Sequence, residues 1–374
     1  MAPARVVLDR SVFFRDHPLE AEPLGEEAPG VVGGNIAYLL AMEPDLQVVD
    51  PPGVSCLTMV RPHPSDPIAQ YGRHLDSGFV AAAHKSLVAI YAGAWYSGWY
   101  LVLDLASSSP RSFTIPGIAG IGTTVITPLH PGAFFLAELL LSLRRPSKGL
   151  SSAMLCLWNS HSSSWAWDYK TSDLPVQVCH AWEVHMSFPV QSRNLLCWVD
   201  LLHGLLLCDL DEVRSELHMS FVPLPPNSCE AFDQQRLPNP QDFRTMACVD
   251  GTIKFFAMDG FVEGTPISLV TYTLDLDGPS TSWTKDTVLR LDDLWADETY
   301  ISMGLPRDLE QIEGYWVRNV QFLLSVDTRK TRVISATQQN LPRTLLSSRF
   351  RITFDAASQL SSKYHQVEHY VEHT

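Results

Sequence analysis

The chain has 374 residues, enough for one or two substantial cores, and its 45% hydrophobic and 18% charged content marks it as globular rather than disordered. Its 41 acidic against 27 basic residues leave a formal charge of −14, which argues against nucleic acid or an anionic lipid surface as the main partner, since phosphate rewards clustered Lys and Arg. The longest basic cluster, Arg144-Arg145-Pro146-Ser147-Lys148, is short and reads as a solvated turn.

Residues 1–44 read as an N-terminal arm. Its first stretch, MAPARVVLDRSVFFRDHP, carries Asp9 and Asp16 and no apolar h-region, so no signal peptide is expected. Segment 5–14 alternates as a strand, while 19–34, with acidic, Pro and Gly residues, reads as a loop. The arm is also too short and too rich in Pro and Gly for a three-helix F-box.

From Asp45 onward strand signals are continuous. A first unit takes in 54–60, 79–92, 100–104 and 112–115, and a second 134–143, 153–158 and 165–169. Segment 134–143 is made of good helix formers, but between Pro131-Gly132 and Pro146 it also fits a fully buried strand, the assignment its place in the series favours. A third unit holds the run NLLCWVDLLHGLLLCDL at 194–210, two apolar strands folded around a His203-Gly204 turn, and closes with 218–224. A fourth has 245–249, 251–258, 268–274 and 287–291; a fifth has 300–303, 314–318, 321–327 and 332–335.

An acidic strand ending recurs through these units: LVLDL at Asp104, LLLCDL at Asp209, TYTLDL at Asp275 and LLSVDT at Asp327, with a looser copy, WAWDY, at Asp168. Repeated hairpins closing on an acidic turn predict a radial all-β fold, a single antiparallel β-propeller of five or six blades over 45–345. The strand at 5–14 is expected to close the ring by pairing with the last blade near 321–335, leaving 346–374 as a C-terminal strand and a polar, His-rich tail.

Seven cysteines, an odd number without CxxC spacing, sit largely inside apolar runs such as MLCLW and LLLCDL, where a thiol behaves as a small buried hydrophobe. The chain lacks an Asn-x-Ser/Thr sequon, and its greasiest run, 133–143, contains Glu138 and is too short to span a bilayer. A reducing cytoplasmic or nuclear setting, with no membrane partner, is the expectation, and the seven are expected as thiols.

The sharpest chemical motif is at the C-terminus. His365-Gln366-Val367-Glu368-His369 and His369-Tyr370-Val371-Glu372-His373 both match the H-x-x-E-H of inverted zinc peptidases. On a helix His365, His369 and His373 would share a face and could hold a divalent transition metal. A third ligand would have to come from elsewhere and no apolar stripe holds the segment to a core, so a solvated tail is the plainer reading and no cofactor is expected.

The other motifs have bland readings as well. Gly117-Ile118-Ala119-Gly120-Ile121-Gly122 departs from G-x-G-x-x-G and is followed by β-branched residues and Pro, so it reads as a linker. Asp292, Asp293, Asp297 and Glu298 lack the spacing of a calcium loop and read as turn and capping residues. The strand-end Asp residues are expected to accept backbone N–H bonds from the turns that follow them. Trp158, Trp165, Trp167, Trp198, Trp283 and Trp316 read as packing between blades, whereas Trp95 and Trp99, in a Gly-rich turn, are expected to be exposed.

The segments VVLDRSVFF at 6–14, DPPGVSCLTMV at 50–60, CWVDLLHGLLLCDL at 197–210 and VLRLDDLW at 288–295 together resemble a plant family, expanded in grasses, catalogued as domain of unknown function 1618. The resemblance covers roughly residues 5–340. It implies a propeller-like fold similar to the kelch and F-box-associated propellers, and it carries no catalytic or binding residue onto this chain.

Two functions from different classes fit this reading. The first is a non-catalytic protein–protein interaction module, an adaptor or scaffold whose rim loops at 61–75, 225–242 and 276–286 hold an unidentified protein partner. The alternative is a hydrolase acting on a glycan or ester at the propeller centre, which would need polar residues converging from several blades.

Overall fold

The computed structural model describes residues 7–16, 32–50, 53–71, 75–93, 98–105, 112–116, 124–130, 133–143, 151–161, 166–178, 181–211, 217–226, 240–259, 266–276, 281–305, 321–339, 351–352 and 365–369. Strands follow one another with three short α-helices among the described residues. In the first part of the chain come β1 (Val7–Arg15), α1 (Val32–Ala41), β2 (Glu43–Gln47), β3 (Val54–Val60), β4 (Ser77–His84), β5 (Leu87–Ala92), β6 (Trp99–Asp104) and β7 (Ser112–Pro116). They form one sheet in the order β2-β3-β1-β4-β5-β6-β7.

Four-stranded sheets succeed it. The second is made of β8 (Thr124–His130), β9 (Ala133–Ser142), β10 (Ser152–Asn159) and β11 (Asp168–Asp173), in sequential order. The third holds β12 (Met186–Val190), β13 (Leu195–Asp200), β14 (Gly204–Asp209) and β15 (Met219–Pro223). The fourth has β16 (Arg244–Val249), β17 (Thr252–Asp259), β18 (Ser268–Asp275) and β19 (Ser282–Arg290), followed by α2 (Leu291–Ala296) and α3 (Glu298–Ser302). The fifth joins β20 (Gln321–Asp327), β21 (Arg332–Gln339), β22 (Arg351–Ile352) and β23 (His365–His369) in the order β21-β20-β23-β22. A chain of sequential four-stranded meanders is the organisation of propeller blades, and the fold is all-β and propeller-like.

Local chemistry explains the hairpins. β16 turns into β17 through Asp250-Gly251, both at positive φ (50° and 79°), with Val249 opposite Thr252. That is the two-residue turn whose twist matches paired strands, and Asp-Gly is among the pairs that adopt it at least cost. The acidic strand endings do what short carboxylates do in turns. Asp209 accepts the Asp211 N–H at 2.8 Å, Asp327 the Arg329 N–H at 3.1 Å, and Asp200, at the end of β13, the Leu202 N–H at 2.7 Å. The looser copy does not belong to this set, because Asp168 opens β11 instead of closing a strand.

Segment 133–142 is a strand, buried along most of its length, so tertiary placement overrides its helical propensity. Elsewhere expectation and structure part. The strand at 5–14 does not pair near 321–335: β1 lies between β3 and β4 in the first sheet, with Val12 opposite Gly78 and Phe13 opposite Thr58. Both of its edges are filled, which leaves no backbone groups for the last sheet, and its parallel pairing with β3 breaks the expected all-antiparallel pattern. Segment 300–303 is helical through Ser302 rather than a strand, because Asp297 caps α3 by accepting the Thr299 N–H at 2.9 Å and Tyr300 is buried from that helix.

The chain divides into two compact units, one holding Met1–Asp50, Val54–Trp198 and Leu207–Ser220, the other Pro51–Gly53, Val199–Leu206 and Phe221–Thr374. In the first unit, β5 and β6 are buried on both faces. Val88, Ile90, Leu101 and Leu103 join Val12, Tyr38, Leu39, Leu57 and Met59 on one side. Ala89, Tyr91, Tyr100 and Val102 pack on the other against Ile126, Phe134, Leu136 and Trp158. Burial on both faces is why these strands read as unbroken apolar runs. In the second unit, Leu291, Leu294 and Tyr300 from α2 and α3 fill the core formed by Phe256, Met258, Leu269 and Leu289 with Leu324, Val326 and Val333.

Candidate functional site

The tip of the β13–β14 hairpin concentrates polar groups in the second unit. The chain leaves β13 at Asp200, turns through Leu201-Leu202-His203 and re-enters at Gly204. Asp200 is 1% exposed, and its carboxylate meets the Leu202 N–H at one oxygen and the His203 Nδ1 at 2.8 Å at the other. His203 keeps about a quarter of its side chain exposed (26%), so the imidazole is oriented by a buried carboxylate and still meets solvent. Its pKa is raised, chiefly by the hydrogen bond to Asp200, against the opposing effect of burial.

The same turn anchors its neighbours. The Leu224 N–H donates to the His203 carbonyl at 3.3 Å, and Arg244 Nη1 donates to the Leu201 carbonyl at 2.9 Å from a fully buried position. Further along β17, burial raises the pKa of Asp259 even though Arg244 and Lys285 pull the other way. Trp283 Nε1 donates to the Pro223 carbonyl at 2.7 Å. Side-chain donors from the fourth sheet thus satisfy carbonyls at the ends of the third, which is a structural use for groups that could otherwise serve chemistry.

A second polar group lies inside the first unit. Glu138 is fully buried on β9, with Thr124 of β8 and Cys156 of β10 directly opposite it in register. The Tyr100 hydroxyl reaches across from β6 to within 2.7 Å of Thr124 Oγ1 and also bonds Glu138. Burial and the nearby carboxylate raise the tyrosine pKa, and they push the Cys156 thiol up to about 12. A thiol held in that state is a packing group and not a nucleophile.

The residues singled out by motif fall elsewhere. His365 and His369 belong to β23, so over 365–369 the backbone is extended and the helical stacking behind the metal spacing does not occur. His373 lies outside the described residues, as do Gly117–Gly122, Trp95, Trp165, Trp316, Cys179 and Cys229. Asp292 and Asp293 occupy the first turn of α2, where a helix N-terminus favours acids, and Asp297 caps α3. Among the described residues no group of three or more His, Cys, Asp or Glu side chains is placed to hold a metal ion. Trp158, Trp167 and Trp198 are buried, and so is Trp99, which was expected at the surface. Trp99 opens β6, with Ala92 opposite on β5, so its ring joins the core instead of the turn.

Of the three expected rim loops, 61–75 is described except at residues 72–74. Arg61 donates through Nη2 to the Leu75 carbonyl at 3.1 Å and to Asp76 at 3.4 Å, and its Nε lies 3.4 Å from Asp16. Asp66 caps the 3-10 turn Pro67–Gln70 by accepting the Ile68 N–H at 2.9 Å. In the loop at 225–242, residues 227–239 lie outside the described set, and the one at 276–286 becomes strand from Ser282. Sequence reasoning passed over Asp200 with His203, Arg244 and Glu138. The first pair carried a legible signal, an Asp three residues before a His in a hairpin turn; the other two were single charges inside apolar strands.

Residues 198–326 match the family model described as Protein of unknown function (DUF1618). The match takes in the hairpin tip, Arg244, the fourth sheet and both short C-terminal helices. No curated protein matches the chain.

Proposed function

We propose that this chain is a non-catalytic interaction module that holds a protein partner through the connections between its strands. The observation that carries this reading is the 61–76 connection. Arg61 bonds Leu75 and Asp76 at the far end of the connection, and the carboxylates of Asp16 and Asp76, 90% and 88% exposed, flank its guanidinium at the surface. Surface groups already held by such contacts lose less entropy on binding. With a formal charge of −14, the favoured partner is a protein with a basic face, and charge speeds the encounter more than it sets affinity. The cysteine pattern favours the cytoplasm or nucleus as its location.

Affinity capture from cell extract with the intact chain and with Asp16→Lys/Asp76→Lys tests the reading. A partner retained by the intact chain and lost by the charge-reversed chain supports it. A partner held equally by both removes the acidic connection from the binding surface.

A second reading, hydrolysis of a glycan or ester, draws on one observation: a buried carboxylate orients a partly exposed imidazole at Asp200 and His203. Turnover of a glycan or ester panel that disappears in His203→Ala would favour it over the adaptor.

A further inference from the structure

We infer that Asp200 and His203 form a proton-operated clamp: protonation of the imidazole tightens the hairpin tip from which neighbouring strands are hung. Asp200 is buried, with one oxygen on the Leu202 N–H and the other on the His203 ring, so the His203 side chain helps compensate a buried charge. A neutral imidazole can still donate from Nδ1 to the carboxylate, but an imidazolium adds the opposite charge and turns the same bond into an ion pair, which favours the protonated ring.

The surroundings leave this switch with few competitors. Asp200 is the charged group acting on His203. From β15 and the residue after it, the facing stretch is Phe221-Val222-Pro223-Leu224, which has no titratable side chain. From β16, Arg244 spends Nη1 on the Leu201 carbonyl, and its permanent guanidinium charge does not titrate in the physiological range. The turn is also mechanically committed, because the carbonyls of Leu201 and His203 accept bonds from Arg244 and Leu224. Gly204, the next residue, has the Val222 carbonyl oxygen 2.3 Å from where a Cβ would stand. A change in the strength of the Asp200–His203 bond is therefore felt by strands on both sides.

The sign follows from linkage. The folded-state pKa of His203 is raised, so the extra stability is fully present below the ordinary imidazole value of about 6.5 and is lost as pH rises through the higher folded value. The clamp is closed in mildly acidic solution and relaxes toward alkaline pH.

Two measurements on the full chain decide it. The first is an NMR titration of the histidine ring protons, with His203→Gln identifying the resonance. A midpoint above about 6.5 that returns to that value in Asp200→Asn is expected. The second is the melting temperature against pH. The gap between the native chain and His203→Gln should be widest below about pH 6.5 and shrink above the NMR midpoint. If Asp200→Asn does not fold, the native midpoint and the His203→Gln melts still decide. A midpoint at or below about 6.5, or a gap that does not change with pH, overturns the clamp.

Discussion

Arg244 directs Nη1 onto the carbonyl oxygen of Leu201 at 2.9 Å from a position with no exposed surface. A buried guanidinium bonding a turn carbonyl is a joint whose loss removes a donor from the carbonyl and a positive charge from beside the Asp259 carboxyl. Arg244→Met should therefore lower stability by about 3 kcal/mol, the scale for breaking a buried charged interaction from one side. Arg244→Lys should recover little of it, since a point charge on a flexible stem does not reproduce the guanidinium fork. Urea unfolding of the three proteins measures this, and a loss under about 1 kcal/mol in Arg244→Met would contradict it.

Gly204 offers a test of close packing at the same turn. A methyl group there would stand 2.3 Å from the Val222 carbonyl oxygen and 2.8 Å from the Phe221 ring. The oxygen belongs to backbone and cannot swing aside, so Gly204→Ala should cost roughly 1–3 kcal/mol. A melting temperature equal to that of the native chain would mean the turn is looser than its contacts indicate.

The five described cysteines are thiols, three of them (Cys156, Cys197 and Cys208) fully or almost fully buried. The Leu210 N–H bonds the Asn194 carbonyl, a register that places Leu207 opposite Cys197 and Leu196 opposite Cys208. The two hairpin cysteines then face opposite sides of the sheet, a poor arrangement for a disulfide. With Cys156 pushed up to about 12, its thiolate fraction at pH 8 is about one part in ten thousand. Iodoacetamide labelling followed by mass spectrometry should find these three unmodified in the native protein and modified after unfolding. Native-state labelling of Cys156 would show that β9 and β10 open readily.

Asp297 ties a helix cap to pH. Its carboxylate accepts the Thr299 N–H and hydroxyl, and these bonds lower its pKa. A depressed carboxylate contributes stability above its unfolded value of about 3.9 and loses it as pH falls through the folded value. The melting-temperature gap between the native chain and Asp297→Ala should hold from neutral pH down to about 4 and close below it. In Asp297→Asn the side chain still presents an acceptor but does not titrate, so its melt should lack that dependence. A gap that persists undiminished at pH 2 would assign the effect of Asp297 to something other than its charge.

The repeat of hairpins ending in acidic turns was legible in the chain because its cause is local. Period-2 apolar runs, Asp-Gly at 250–251 and a carboxylate two residues before the N–H it accepts act within a few residues of one another. The acids at 292–298 read as turn and capping residues on the same local grounds, whereas 134–143, made of good helix formers, read as a strand only from its place in the series. What needed the tertiary structure was every relation between distant segments. The strand at 7–15 alternates equally well whether it pairs with β3 and β4 or with β20, and only backbone hydrogen-bond partners decide between them. Arg244 and Glu138 look in sequence like stray charges in apolar strands. They become fixed points once folding brings Leu201 to the one and Tyr100 and Thr124 beside the other, because a buried polar group survives only where a partner from elsewhere in the chain satisfies it.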